Sequence, residues 1–344
     1  MPEISVIIVN WNGKRFLDDC LSALRRQTFR DFETILVDND SHDGSAEYVR
    51  SRFPEVRVLA LDKNHGFTGG NLAGYELASG RLIALINNDT EAHPGWLRAM
   101  RDAARTFSSA GSFASKMMYF DDRQRIENCG FDVDAAGTTV DLGRDEWDCP
   151  KWNLPRKVFG ACGGAAVYRR SMLDHTGFLD PDFFMIYEDV DLSFRAQLFG
   201  YECVYVPQAV VYHRYRSSLK QLPALQVFYS QRNTDFVFLK NLPLRLLLRS
   251  APRRLLYELG SALYFLRLGA GLPFLRAKCS VLRGLPSVFA KRRGIQNLRN
   301  LSAAELLGTM RGSAFSSKWR KFRSIGGRAT AGPPARDTVA RRAA

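Results

Sequence analysis

Acidic and amide side chains collect at three points where apolar runs stop. Ile4–Val9 ends in Asn10-Trp11-Asn12-Gly13, Thr34–Val37 in Asp38-Asn39-Asp40-Ser41, and Leu82–Ile86 in Asn87-Asn88-Asp89. An ionised carboxylate only accepts hydrogen bonds and is a hard oxygen ligand, so at such a point it can meet a substrate or a divalent cation. Each cluster alone is also what a turn needs, because Asn and Asp bond back to their own backbone. The repetition is what points to a site. A fourth group, Glu188-Asp189-Val190-Asp191, opens a run in which Asp189, Leu192 and Ala196 recur at helical spacing. The helix dipole favours acids in a first turn, and a well-placed carboxylate can also take a proton from a hydroxyl. His213 ends the run Val210-Val211-Tyr212. A lone histidine there is as readily a hydrogen-bonded structural residue as a ligand.

The elements that must position these groups follow from periodicity. Ile4–Val9, Thr34–Val37, Val56–Leu61 and Leu82–Ile86 are short apolar, β-branched runs of the kind found in strands covered on both faces. Between them, Phe16–Arg26, a segment starting near Ser45, and Leu72–Ala78 have helical spacing. Strands alternating with helices predict a doubly wound, mostly parallel sheet with right-handed crossovers. Ligands of such sheets gather beyond the carboxyl ends of the strands, where the acids lie. Further along, a helix is expected from His93 through Phe107. Residues 121–157, rich in Asp, Gly, Pro and Trp, read as an excursion bordering a cleft, and Phe159–Tyr168 as a strand with small residues. Asn64-His65-Gly66-Phe67-Thr68-Gly69-Gly70-Asn71 is not a G-x-G-x-x-G fingerprint. Its glycines would let backbone approach a ligand, with the helix from Leu72 offering free N–H groups to an anion.

Charge is distributed unevenly. Residues 241–344 hold 21 Lys/Arg against 3 Asp/Glu, or +18, while residues 1–240 hold 28 against 32. A weakly acidic body with a strongly basic tail points to an anionic surface as the partner of the tail. Six scattered cysteines with no C-x-x-C pair give neither a zinc site nor a disulfide framework, so a reducing compartment is expected. The chain enters a strand directly after Met-Pro-Glu, and no signal peptide is expected.

Five segments in order, V-I-I-V-N-W-N (6–12), V-D-N-D-S-H-D-G (37–44), N-H-G-F-T-G-G-N (64–71), L-I-N-N-D-T (85–90) and Y-E-D-V-D-L-S-F-R (187–195), carry a resemblance. The chain resembles the family-2 inverting glycosyltransferases of the GT-A fold, in particular the bacterial rhamnosyltransferase-like branch. The resemblance implies a nucleotide-diphosphate sugar as donor. Asp38 would face the base imide, and Val9, Asn10, Asn12, Asp40, Asn64, Gly66, Phe67, Asn71 and Asn88 would line the donor pocket. It implies Mg²⁺ or Mn²⁺ at Asp89, the one acid left of the usual Asp-x-Asp, with His213 a further ligand in some members. Asp189 becomes the general base, and Glu188 and Asp191 the acids that orient base, acceptor or helix.

On this reading residues 1–240 form the catalytic domain, with a nucleotide-sugar half at about 1–115 and an acceptor half at about 116–240. Residues 241–323 form basic amphipathic helices that lie on the cytoplasmic face of a bacterial plasma membrane, and 324–344 a disordered tail. The acceptor is expected to be a glycan or a polyprenyl-linked sugar of the cell envelope. Packing of the tail helices on the catalytic domain or on a second subunit, as in a homodimer, stays open. A binding protein, whether for a nucleotide sugar or for nucleic acid through the tail, is the competing class. Against nucleic acid, Leu and Phe stand beside the tail arginines.

Overall fold

The structure is a computed structural model that describes residues 1–134, 137–214 and 223–311. The elements are β1 (Ile4–Asn10), α1 (Lys14–Arg25), β2 (Phe32–Asp38), α2 (Ser45–Arg52), β3 (Arg57–Ala60), α3 (Gly66–Leu77), β4 (Leu82–Ile86), β5 (Thr90–Ala92), α4 (Trp96–Thr106) and β6 (Ala110–Tyr119). There follow β7 (Ile126–Asn128), β8 (Phe131–Val133), β9 (Thr139–Asp141), β10 (Arg156–Val158), β11 (Ala165–Arg169), α5 (Arg170–Thr176), α6 (Glu188–Leu198), β12 (Glu202–His213), α7 (Pro223–Asn241), α8 (Leu244–Arg267), α9 (Gly271–Leu298) and α10 (Ala303–Thr309).

One sheet runs β10-β12-β6-β11-β4-β1-β2-β3, with β5 added on β12 and β7 on β6. The four strands expected at the N-terminus pair in parallel. β11 is antiparallel to both β4 and β6, and β12 is parallel to β6. These directions decide where the chemistry can lie, because the ends of β1, β2, β4 and β12 and the start of β11 all fall on one edge. Leu17, Leu21, Val49, Trp96 and Met100 cover one face of the sheet. Ala78, Met172, Leu173 and Leu192 cover the other.

The structure corrects three local expectations. α3 begins at Gly66, six residues before the expected Leu72, so the glycines lie inside its first turns. The strand expected from Phe159 starts only at Ala165, and the small residues before it form a loop. Residues 121–157 include β7, which pairs with β6 and belongs to the main sheet. The excursion lacked periodicity because its strands are three residues long, too short for alternation to register.

α7 and α9 pack against each other and on the body built around the sheet. Their core joins Phe236, Val237, Phe238, Leu246, Val281 and Val288 to Phe183, Val190, Phe194 and Leu198. The expected boundary at 240/241 falls on two residues buried against α6: Lys240 Nζ meets Asp191 at 2.7 Å and Asn241 Nδ2 donates to Asp191 at 2.8 Å. On the outside, Leu244, Leu248, Leu255, Leu256, Leu259 and Leu263 of α8 are exposed. No described helix is long and apolar enough to cross a membrane. The tail expected to be disordered, 324–344, lies outside the described residues, as do 312–323 of the helical region.

Candidate active site

The donor side is built from the ends of β1 and β2. Asn10 is fully buried, and its Nδ2 donates to Asp38 Oδ1 at 3.1 Å and to Ser41 Oγ at 3.2 Å. Asn88 Nδ2 donates to Asn10 Oδ1 at 2.7 Å, tying the loop after β4 to the same corner. Ser41 N–H reaches Asp38 Oδ2 at 3.3 Å. Each Asp38 oxygen keeps a lone pair free for a further donor. Asn12 is exposed at the rim, where its Oδ1 accepts from His42 N–H at 2.8 Å. Asn12 and Asp40 hold positive φ, 50° and 65°, a conformation that Asn and Asp adopt more readily than other side chains.

The Asn64–Asn71 segment is placed differently from the expectation. Asn39, which sequence reasoning passed over, organises it: Asn39 Nδ2 donates to Asn64 Oδ1 and Gly66 O, and Asn39 Oδ1 accepts from His65 N–H, all at 2.9–3.0 Å. The glycines make room for protein rather than for ligand. A Cβ at Gly66 would lie 2.3 Å from Phe184 O, one at Gly69 2.5 Å from His65 Cβ, and one at Gly70 2.7 Å from Val9 Cγ1. Val9 therefore packs on α3, half-buried. Asn71 is buried, and its Nδ2 donates to Phe67 O of its own helix at 2.8 Å. Phe67 remains half-buried, its Cε1 3.6 Å from a Cβ at Gly163.

Across the edge, β5 pairs with β12 so that Thr90 opposes His213. This register brings His213 Nε2 to 3.2 Å from Asp89 Oδ1. His213 Nδ1 meets Glu127 of β7 at 2.8 Å. All three side chains are buried. Burial works against a charged imidazole, but the hydrogen bonds and charges of Asp89 and Glu127 prevail and hold His213 up at about 10. Glu127 was not legible in the sequence, because β7 carries no periodic signal of its own.

Asp189 lies at the start of α6, partly exposed. Gly163 N–H donates to its Oδ2 at 2.8 Å, and the next residue, Gly164, accepts Asn87 N–H at 2.9 Å. Two adjacent residues of one loop thus touch the base candidate on one side and the Asn87-Asn88-Asp89 turn on the other. Burial raises both Asp189, to about 6, and Glu188, to about 8, the latter also through the charge of Asp189. Glu188 Oε2 is buried with no hydrogen-bond partner among the described residues. The pair therefore keeps its proton on Glu188 and its charge on Asp189 near neutral pH.

Asp191 departs from the catalytic grouping. It is 0 % exposed and held by Arg195 at 2.9 Å, Lys240 and Asn241, so it anchors α6 to α7 and faces no cleft. Of the three acids of this cluster, only Asp189 reaches open space.

The segment leading into α6 is strained. Phe184, Ile186 and Tyr187 have φ of 58°, 67° and 73°. Bulky residues pay on the order of 1–3 kcal/mol each in such conformations. Neighbouring elements must hold them, and Thr68 N–H does so from the α3 side, bonding Phe184 O at 3.0 Å.

Fold and site together define a GT-A glycosyltransferase. The profile described as "Glycosyl transferase family 2" matches residues 5–177, half of the chain, and the protein belongs to that family. A curated relative, an N-acetylglucosaminyl-diphospho-decaprenol L-rhamnosyltransferase of Mycobacterium tuberculosis, is 28% identical over 288 residues, covering 72% of this chain and 89% of its own. The putative glycosyltransferase EpsH of Bacillus subtilis is 27% identical over 244 residues, covering 67% of this chain and 66% of its own. Among solved structures, a mannosyltransferase of Pyrobaculum calidifontis in complex with GDP-Man and Mn²⁺ superimposes with TM-score 0.52 at 14% identity, over 95% of this chain and 84% of that one. GalNAc-T7 with UDP, GalNAc and Mn²⁺ gives 0.55 at 17% identity over 69% of this chain, which spans about half (47%) of that longer protein.

Because Gly66 combines φ of +72° with contact to Phe184 O, Gly66→Ala is expected to lower stability by about 1–3 kcal/mol. A urea midpoint indistinguishable from the parent's would contradict the close approach.

Proposed function

We propose that the protein is an inverting, metal-dependent glycosyltransferase that moves a deoxyhexose, L-rhamnose or a close analogue, from a dTDP or UDP donor to a lipid-linked or polysaccharide acceptor during cell-envelope glycan synthesis. The observation that carries the reading is the Gly163-Gly164 bridge, which joins the base candidate to the turn bearing Asp89. The rhamnosyltransferase relative, matched over 89% of its length, supports the sugar and acceptor class.

Asp38 accepts the imide N–H of a pyrimidine base, an edge that thymine and uracil share. Asn10 donates to that carboxylate, and Asn88 in turn holds Asn10 in place. Asp89 and His213 would fit a divalent cation once His213 gives up its Nε2 proton: the carboxylate oxygen and ring nitrogen, here an ion pair 3.2 Å apart in a buried corner, have about the spacing of neighbouring positions around an octahedral ion, and the cation would take the place of that proton. Among the described residues no group of three or more His, Cys, Asp or Glu side chains converges on a common metal position, and diphosphate oxygens of the donor would supply the further ligands a divalent cation takes. An oxygen-rich set with one imidazole suits Mn²⁺ or Mg²⁺. Bound there, the cation supplies positive charge to the departing diphosphate. Glu127 fixes the His213 ring from behind, as outer carboxylates do for ligating histidines.

Asp189 takes the proton of the acceptor hydroxyl as its oxygen bonds to the anomeric carbon. The bond from that carbon to the diphosphate oxygen breaks on the opposite face, so one displacement inverts the centre. Glu188, protonated and out of reach of water, keeps the neighbouring charge low while Asp189 ionises.

The exposed leucines of α8, alternating with Arg245, Arg249 and Arg253, support a helix lying on an anionic leaflet. Each cation there contributes about 1 kcal/mol.

Four measurements test this reading. Asp189→Asn is expected to lower kcat by about 10²–10⁴-fold with nucleotide affinity near the parent's, and a variant keeping most of its activity removes the base. In the parent, the rate should fall as the medium is acidified through about pH 6, because protonation consumes the base; an acid limb near 4 would mean an ordinary exposed carboxylate. Asp89→Ala should abolish the Mn²⁺ dependence of UDP or dTDP binding in calorimetry, and equal affinity with and without Mn²⁺ in the parent would remove the metal. In flotation, vesicles containing phosphatidylglycerol should carry the full chain at low salt and release it at high salt, and flotation with neutral vesicles alone would contradict the electrostatic part.

A further inference from the structure

The strained segment before α6 is gripped from its second side by α7, and this grip comes from residues that no reading of the active site has used. Asn233, fully buried in α7, directs Nδ2 at three successive parts of the segment: Phe183 O at 3.0 Å, Met185 O at 2.8 Å and Ile186 O at 2.6 Å. An amide nitrogen has two hydrogens, so three carbonyls share them, an arrangement that holds only if the carbonyls are turned inward together. Positive φ at Phe184, Ile186 and Tyr187 does that turning. Arg232 adds Nη2 to Asp182 O at 2.5 Å and to Phe183 O at 3.1 Å, and its Nε holds Asn233 Oδ1 at 2.8 Å. Tyr229, one turn earlier, stacks on the Phe184 ring with centroids 5.1 Å apart and planes 15° apart.

Tyr187 is the last residue before α6 and Asp189 the second residue within it. We propose that Arg232 and Asn233 are positioning residues of the transferase reaction: they hold the 183–187 segment in its strained form and thereby set where Asp189 meets the acceptor hydroxyl. This rests on the function proposed above for Asp189. It assigns α7 to the catalytic apparatus, so the C-terminal helices serve the reaction directly as well as any surface they contact. A displacement of about 1 Å at a reacting group costs about 10²-fold in rate, and the three positive-φ residues lead directly into the turn that carries Asp189.

The test compares the full chain with Asn233→Ala, Arg232→Lys and, as a control, Thr234→Val. Thr234 is buried on the same helix, but its hydroxyl donates to Ser230 O and, among the described residues, makes no bond to the 183–187 segment. Two readouts are taken: hydrogen exchange of amides 183–187, and release of dTDP from dTDP-L-rhamnose with polyprenyl-diphosphate N-acetylglucosamine as acceptor. Asn233→Ala should speed exchange across 183–187 by about tenfold or more. It should lower kcat by about 10²-fold and leave the donor KM within about twofold. Arg232→Lys, which keeps the charge but loses the planar fork, should show the same pattern to a smaller degree. Thr234→Val should show neither change. Parent-like exchange at 183–187 in either clamp variant overturns the proposal, as does an equal loss of kcat in Thr234→Val. If Asn233→Ala does not fold, Arg232→Lys decides by the same criteria. If the parent itself releases no dTDP, the proposed donor and acceptor fail, while hydrogen exchange still decides whether α7 holds the segment.

Discussion

A single dipeptide ties the two sides of the cleft together. Gly163 donates its N–H to Asp189 and Gly164 accepts the N–H of Asn87, so a shift of this loop moves Asp189 and the Asp89 turn together. Backbone groups suit this role because their positions follow the sheet. The loop enters β11, which is clamped between β4 and β6, and no side-chain rotamer intervenes. Gly164 is the tighter of the two positions, and Gly163 has room for ordinary contact only. A Cβ at Gly164 would come within 3.3 Å of Asn87 Nδ2, and one at Gly163 within 3.4 Å of Asp189 Cβ.

The direction of each strand does the remaining work of assembly. β1, β2 and β4 deliver Asn10, Asp38 and Asp89 to one edge because they are parallel; β11 delivers its start there because it is antiparallel; β12 delivers His213 because it runs with β6. Charge is then sorted by depth. Asp191 and Lys240 are buried together and neutralise each other, joining α6 to α7. Glu188 is buried without a partner among the described residues and keeps a proton, and Asp189, nearer the surface, carries the negative charge. Three acids within four residues thereby have three different environments.

Much of this was legible in the sequence, and the reasons differ by element. The strand Leu82–Ile86 was found with its observed limits because a doubly covered strand is continuously apolar and its polar flanks are abrupt. Asn10, Asp38 and Asp89 could be placed because strand ends and turn residues coincide. α3 was misjudged because Gly66, Gly69 and Gly70 read as loop, whereas tertiary contacts with Val9 and Phe184 select glycine inside a helix. Glu127 and Asn233 were invisible for a different reason. Each acts across more than forty residues of sequence, on His213 and on the 183–187 segment, and nothing local distinguishes them from a strand residue or a helix residue. The net charge of the tail was plain, but not that α7 would face the catalytic helix.

The central claim is that cation, donor diphosphate and base share one cleft. Anomalous X-ray scattering from crystals grown with Mn²⁺ and UDP or dTDP tests it most directly. The account predicts a Mn²⁺ peak bonded to Asp89 Oδ and His213 Nε2 and to diphosphate oxygens, with Asp189 facing that diphosphate across open space wide enough for one sugar ring. A peak away from Asp89, or a nucleotide whose diphosphate is separated from Asp189 by packed protein, would contradict it.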